Sequence, residues 1–115
     1  MTFEEYQQGV IRTLNGKGTE KREWVLQLSS LCMGLSGETG ELADLMKKWL
    51  YHGHELDRTK LKKEMGDVLW YLTALVEEFE MELEDVAIAN MEKLKARYPE
   101  GFTHERSINR IESAA

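Results

Sequence analysis

Two short acidic patterns are the part of this chain best suited to chemistry: Glu38-Thr-Gly-Glu41 and Glu64-Met-Gly-Asp67. Residues three apart lie on one face of a helix, so each pair would project two carboxylates in one direction. Apolar residues that read as core flank both pairs: Leu35, Leu42 and Leu45 around the first, and Met65, Val68, Leu69 and Leu72 around the second. Carboxylates are rarely buried without partners, and four converging on an apolar region would repel one another. No Lys or Arg is expected beside them on the same helical face. The natural compensator is a hard divalent cation with oxygen ligands, Mg²⁺ foremost, with Mn²⁺ as a substitute.

Helices must carry these groups. Thr2 and Glu5 form a capping-box pattern, and Phe3, Tyr6, Val10, Ile11 and Leu14 keep helical spacing behind it. Asn15-Gly-Lys-Gly-Thr19 breaks that helix. A second run starts near Glu20 and extends to Tyr51, with Trp24, Leu28, Leu31, Leu35, Leu42, Leu45, Met46 and Trp49 as its apolar residues. Gly34, Gly37 and Gly40 recur on one side of it, which points to close approach of a helix or ligand, or to a kink. His52-Gly-His-Glu-Leu56 reads as a loop, with Asp57 or Thr59 capping a third helix through Phe79. A break at Glu80–Glu82 precedes a fourth helix, Leu83 to Tyr98, which the segment Arg97 to Phe102 ends with Pro99 and Gly101. No strand-like alternation persists. The fold class is all-α, a four-helix bundle-like arrangement over residues 1–102, with 103–115 as a C-terminal tail, helical over a short stretch or frayed.

Bulk composition narrows the functional classes. The chain has 115 residues, 42% hydrophobic and 31% charged, which suits one folded domain. Its apolar stripes are wider than one small bundle needs, so a homodimer or homotetramer is expected. A net charge of −6 argues against nucleic-acid binding. No apolar run approaches a membrane span and no signal peptide is visible, so a soluble cytoplasmic protein is expected. The single Cys32 excludes an internal disulfide framework and fits core packing in a reducing compartment. The run of Glu77, Glu78, Glu80, Glu82, Glu84 and Asp85 reads as solvated surface and capping charge.

Three segments resemble the MazG-like nucleoside triphosphate pyrophosphohydrolases. They are Gly34 to Lys48, Leu61 to Leu72 (LKKEMGDVLWYL) and Asn90 to Pro99 (NMEKLKARYP). That family is recognised by E-x-x-E, a spacer and E-x-x-D, here Glu38 and Glu41, then Glu64 and Asp67. Gly37 stands where many members carry a further acidic residue. The resemblance implies an all-α oligomer, dependence on Mg²⁺ and cleavage of a nucleotide between its α- and β-phosphates. The products would be a nucleoside monophosphate and pyrophosphate, in control or sanitation of the nucleotide pool.

In that reading Glu38, Glu41, Glu64 and Asp67 hold the metal, and Glu41, or Glu38 with the two positions reversed, activates the attacking water. Lys48 lies two turns past Glu41, Lys93 and Arg97 share a face of the fourth helix, and Asn90 is a turn back; these are candidates for phosphate and sugar binding. Tyr71, four residues past Asp67, should point into the same site. Trp24, Trp49 and Trp70 are platforms for either base stacking or packing. His52 and His54 read as exposed loop residues, since a hard-cation site needs no imidazole.

Three other readings compete. Phosphoribosyl-ATP pyrophosphohydrolases belong to the same broad superfamily, but the Trp-Tyr and Arg-Tyr-Pro segments look more MazG-like. A di-iron carboxylate bundle wants Glu-x-x-His motifs, which neither Glu41 nor Glu64 begins. A non-catalytic helical metal-binding interaction module would not need carboxylates at all four positions.

Overall fold

The computed structural model describes residues 1–14 and 21–110. They form α1 (Phe3–Thr13), α2 (Lys21–Tyr51), α3 (Arg58–Glu78), α4 (Leu83–Arg97) and the short α5 (His104–Ile108), with no strand among them. The break expected at Asn15–Thr19, and Glu20, lie outside the described residues.

The helix ends follow from local chemistry. The Thr2 hydroxyl accepts from Glu5 N at 3.0 Å, and Glu5 Oε1 accepts from Thr2 N at 3.1 Å, closing the capping box. Asp57 rather than Thr59 caps α3: its Oδ1 accepts from the backbone of Thr59 and Lys60. The α3 C-terminus closes with Met81 N donating to Val76 O at 3.1 Å and Glu80 N to Glu77 O at 3.0 Å, a Schellman arrangement. It places Glu80 at φ +57°, which costs a residue bearing a side chain about 1 kcal/mol. α5 is capped by the Thr103 hydroxyl, which accepts from Arg106 N.

Gln7 offsets the strain at that turn. Buried on α1, its Nε2 donates to Glu77 Oε2 and to Met81 O, and its Oε1 accepts from Leu83 N, each at 2.9 Å. One side chain therefore ties the first helix to the junction of α3 and α4.

The core is small. Val10, Leu31 and Ala74 are its buried centre, packed by Tyr6, Leu14, Trp70, Tyr71 and Leu75. Trp70 Nε1 donates to the Thr13 hydroxyl at 2.8 Å, which fixes α1 across α3. α2 and α3 form the principal pairing as an antiparallel hairpin, while α1 and α4 rest on α3 and on each other.

Spacing assigns Met65, Leu69 and Leu72 to the core, yet all three are exposed, at 51%, 38% and 39%. Cys32 is also exposed rather than packed in a core. Helical periodicity identifies an apolar face but not what covers it. On this face of α3 the described residues cover these side chains only in part.

Candidate active site

Because α2 and α3 run antiparallel, residues pair across the hairpin in opposite order. Gly34 meets Tyr71, and Glu41 meets Glu64. The two acidic motifs are thus brought face to face by the pairing of two helices, with no contribution from a loop.

Carboxylate oxygens of Glu38, Glu41 and Glu64 lie within 4.8 Å of one another. Asp67 sits close enough to act electrostatically on both Glu38 and Glu64. Glu38 and Glu64 are half-buried, whereas Glu41 and Asp67 are exposed. The site is a groove wall, then, and not the enclosed apolar region expected from the flanking leucines. Desolvation raises the Glu38 carboxyl above the ordinary carboxylate value, and the neighbouring charges of Glu41, Asp67 and Glu64 raise it further. Glu64 is also raised, first by desolvation and then by Glu41 and Asp67, while Lys60 pulls the other way. Lys60 stands one turn before Glu64 on α3, so the expectation of no cation on that face is corrected.

Oε2 of Glu38 and Oε2 of Glu64 are both buried with no hydrogen-bond donor among the described residues. Orphaned, desolvated oxygens on crowded carboxylates are an unfavourable arrangement unless a cation meets them. The donors are all hard oxygens. They fit Mg²⁺ or Mn²⁺ and offer nothing to a metal that prefers sulfur or imidazole.

A cleft of about 650 Å³ opens beside these groups. Gly37, Gly40, Glu41, Asp44 and Lys48 line it from α2, Lys60 and Glu64 from α3, and His54, Glu55 and Asp57 from the connecting segment. Gly37 and Gly40 have open space where a side chain would begin, whereas the ring of Tyr71 lies against Gly34. The glycine repeat therefore serves two ends: close approach at Gly34, and a bare groove floor at the other two.

Residues 26–102 match the sequence profile of the MazG nucleotide pyrophosphohydrolase domain. The chain belongs to the MazG nucleotide pyrophosphohydrolase family. It is 36% identical over 87 residues to the Gene 37 protein of Mycobacterium phage L5, covering 72% of this chain and 76% of that protein. It is 34% identical over 97 residues to dCTP pyrophosphatase 1 of Mus musculus and 33% over 98 to that of Homo sapiens. The match takes in 77% of this chain but 57% of each mammalian protein, so it spans little more than half their length. No solved structure matches this chain.

In this MazG chain the other residues singled out from sequence divide into two groups. Lys48 lines the acidic cleft, but its Nζ is held 2.9 Å from Asp44 Oδ2. Lys47 reaches Asp44 Oδ1 at 3.4 Å, and these two lysines lower the Asp44 carboxyl. Tyr71 stands one turn beyond Asp67, with its ring edge-to-face on Trp70 at 5.0 Å. Asn90 and Lys93 line a different, apolar cleft with Phe3, Leu69, Leu72, Leu83 and Val86. Arg97 is half-buried, and its Nε meets no acceptor among the described residues. Trp24 packs edge-to-face on Phe79 at 5.5 Å, about 21 Å along α2 from Glu38 at 1.5 Å per residue. Within one protomer, Trp24, Asn90 and Lys93 are thus not gathered at the acids.

Sequence reasoning missed His54, Lys60 and Glu55 as cleft residues. Lys60 had a findable signal in its four-residue spacing before Glu64. Tyr6 of α1 also comes near Asp67: its hydroxyl is raised by burial and then by that carboxylate.

Proposed function

We propose that this chain hydrolyses nucleoside or deoxynucleoside triphosphates between the α- and β-phosphates, giving the monophosphate and pyrophosphate, in control or sanitation of the nucleotide pool. One observation carries the reading: Glu38, Glu41 and Glu64 present oxygens to a single point, two of these residues with buried oxygens that lack donors, beside an open cleft.

Glu38, Glu41, Glu64 and Asp67 would hold Mg²⁺, with Mn²⁺ as a substitute. When bound, the cation neutralises the polyphosphate and polarises the attacked phosphoryl group. Glu41 is exposed at the cleft, with an oxygen within 4.8 Å of oxygens of both Glu38 and Glu64, where a water oxygen can reach it. We assign it the water's proton: the water oxygen bonds to the α-phosphorus, the bond from that phosphorus to the bridging oxygen breaks, and pyrophosphate leaves with the electron pair. Glu38 would take the proton-accepting role if Glu41 is a ligand only. dCTP is the first substrate to try, since the mammalian relatives are named as dCTP pyrophosphatases.

An oligomer completes this proposal. The radius of gyration, 17.5 Å, exceeds the about 13 Å of a compact domain of this length. Met65, Leu69, Leu72, Ile88 and Met91 are exposed. A second copy seated on this α3–α4 face would cover them and bring Asn90, Lys93 and Arg97 into a shared environment. Sedimentation of the wild type at the mass of one protomer would overturn that part.

The reaction is tested with a panel of nucleotides and Mg²⁺, scored for pyrophosphate against orthophosphate. Pyrophosphate should appear first, and Glu41→Gln should lower its release by about 100-fold or more. Orthophosphate as the first product, or turnover that survives chelation of divalent ions, would reject the reaction.

A further inference from the structure

The cleft beside the acids is not uniformly acidic. The α2–α3 groove is ordered along its length. Tyr71 and Gly34 lie at one end, Glu38 and Asp67 come next, then Glu41 and Glu64, and finally Lys48, Lys60 and His54 at the turn between the helices. The basic groups thus lie on one side of the four motif carboxylates, at an end that Asp44, Glu55 and Asp57 also line.

These basic groups are not equivalent. Lys48 is engaged by Asp44 at 2.9 Å. Lys60 forms no ion pair among the described residues, and its charge is felt at Glu64 one turn away. The carboxylate nearest to Lys60 in sequence, Asp57, is occupied as the α3 cap, with Oδ1 accepting from two backbone amides.

His54 is put in place by its backbone. His52 N and His54 N both donate to Lys48 O at 3.1 Å, folding the chain back over the end of α2. Gly53 between them adopts φ +73°, a conformation that side chains resist. The result is an imidazole lining the cleft that holds Lys60 and Glu64. Glu55 lines it too and opposes an anion there.

Resting on the hydrolase reading above, we propose that His54 and Lys60 form the subsite for the two outer phosphates, the leaving pyrophosphate. The triphosphate would lie along the groove in one sense only. Its α-phosphate sits at the carboxylates, its outer phosphates point to the α2–α3 turn, and its nucleoside points toward Tyr71. Lys60 and the imidazole N–H supply donors that strengthen as charge moves onto the departing group. This assigns a binding role to a loop histidine that the sequence pattern leaves as surface.

The test is calorimetric titration of inorganic pyrophosphate with Mg²⁺ into the wild type, His54→Asn, Lys60→Met and Glu55→Gln, with dCMP and Mn²⁺ titrated alongside. Pyrophosphate affinity should fall about tenfold in His54→Asn and in Lys60→Met, the scale of one charge-assisted hydrogen bond. It should rise in Glu55→Gln. Affinity for dCMP should hold in all three, and Mn²⁺ affinity should not fall in His54→Asn or Lys60→Met. Unchanged pyrophosphate affinity in both the His54 and Lys60 variants, parallel loss of dCMP affinity, or no pyrophosphate binding by the wild type would each overturn the proposal. Since these are binding measurements, a wild type that releases no pyrophosphate from dCTP would refute the reaction while the titrations still decide the subsite.

Discussion

Alanine at Gly34 and alanine at Gly37 should have opposite effects, although the two positions lie three residues apart on one helix. Replacing a helix-interior glycine by alanine gains about 1 kcal/mol from backbone entropy alone. At Gly37 nothing lies within 4 Å of the new Cβ, so that gain stands. At Gly34 the Cβ would overlap the Tyr71 ring, falling 2.6 Å from Cδ1 with two other ring atoms nearer still. Overpacking of this kind costs about 1–3 kcal/mol. The ring cannot yield freely, because it is set edge-to-face on Trp70, and that contact contributes about 0.5–1.5 kcal/mol. Trp70 is in turn fixed by its bond to Thr13. The net expectation is destabilisation of up to about 2 kcal/mol for Gly34→Ala against stabilisation of about 1 for Gly37→Ala, a separation of about 1–3 kcal/mol, on the order of 10 °C in Tm. Urea denaturation followed by circular dichroism, at one fixed protomer concentration, measures both. A Gly34→Ala variant as stable as Gly37→Ala would refute the reasoning. The double variant Gly34→Ala/Tyr71→Ala checks the cause: removing the ring should abolish the penalty specific to position 34.

Protonation of the acidic groove gives a second expectation. Glu38 and Glu64 are raised above 4.5 in the folded protein, so the fold binds protons more tightly than the unfolded chain does. Their contribution is fully present below 4.5 and is lost as pH climbs through their folded values. In a chelator, Tm should therefore be higher at pH 5 than at pH 7.5. Glu38→Gln should flatten this slope, and added Mg²⁺ should raise Tm more at pH 7.5 than at pH 5. A chelated protein whose Tm climbs across that range, unaffected by Glu38→Gln, contradicts it; Asp44, being lowered, acts only at more acidic pH. Third, Gln7→Leu should destabilise by about 2–4 kcal/mol, because it removes three hydrogen bonds and strands the buried Leu83 amide. Hydrogen exchange at that amide should speed up, and an unchanged rate would show that the Gln7 bonds do not hold the turn.

Much of the architecture is legible in the chain because its signals are local. The Thr2/Glu5 box, the Asp57 cap and the polar breaks mark helix ends through bonds made within four residues. The acidic motifs could be placed on facing helices for the same reason: period and order suffice for an antiparallel hairpin. What escaped depends on tertiary geometry. That a ring covers Gly34 and not Gly37 is decided by a helix more than thirty residues away. His54 enters the cleft through a left-handed glycine and two bonds to one carbonyl, which leave no periodic trace. Leu69 and Leu72 have core spacing but are only partly covered among the described residues, where they line a cleft with Phe3, Leu83 and Val86, since periodicity cannot distinguish an interior from a partly open face.

The Gln7 clasp separates durability from chemistry. All four carboxylates belong to one hairpin closed by residues 52–57, a short loop whose ends meet early and cheaply. The clasp instead joins positions 70 to 76 residues apart. The hairpin can therefore set its acids in register before α1 docks, and α1 then acts as a late fastener. Loosening that fastener should shorten the lifetime of the native state while leaving the register of the acids intact.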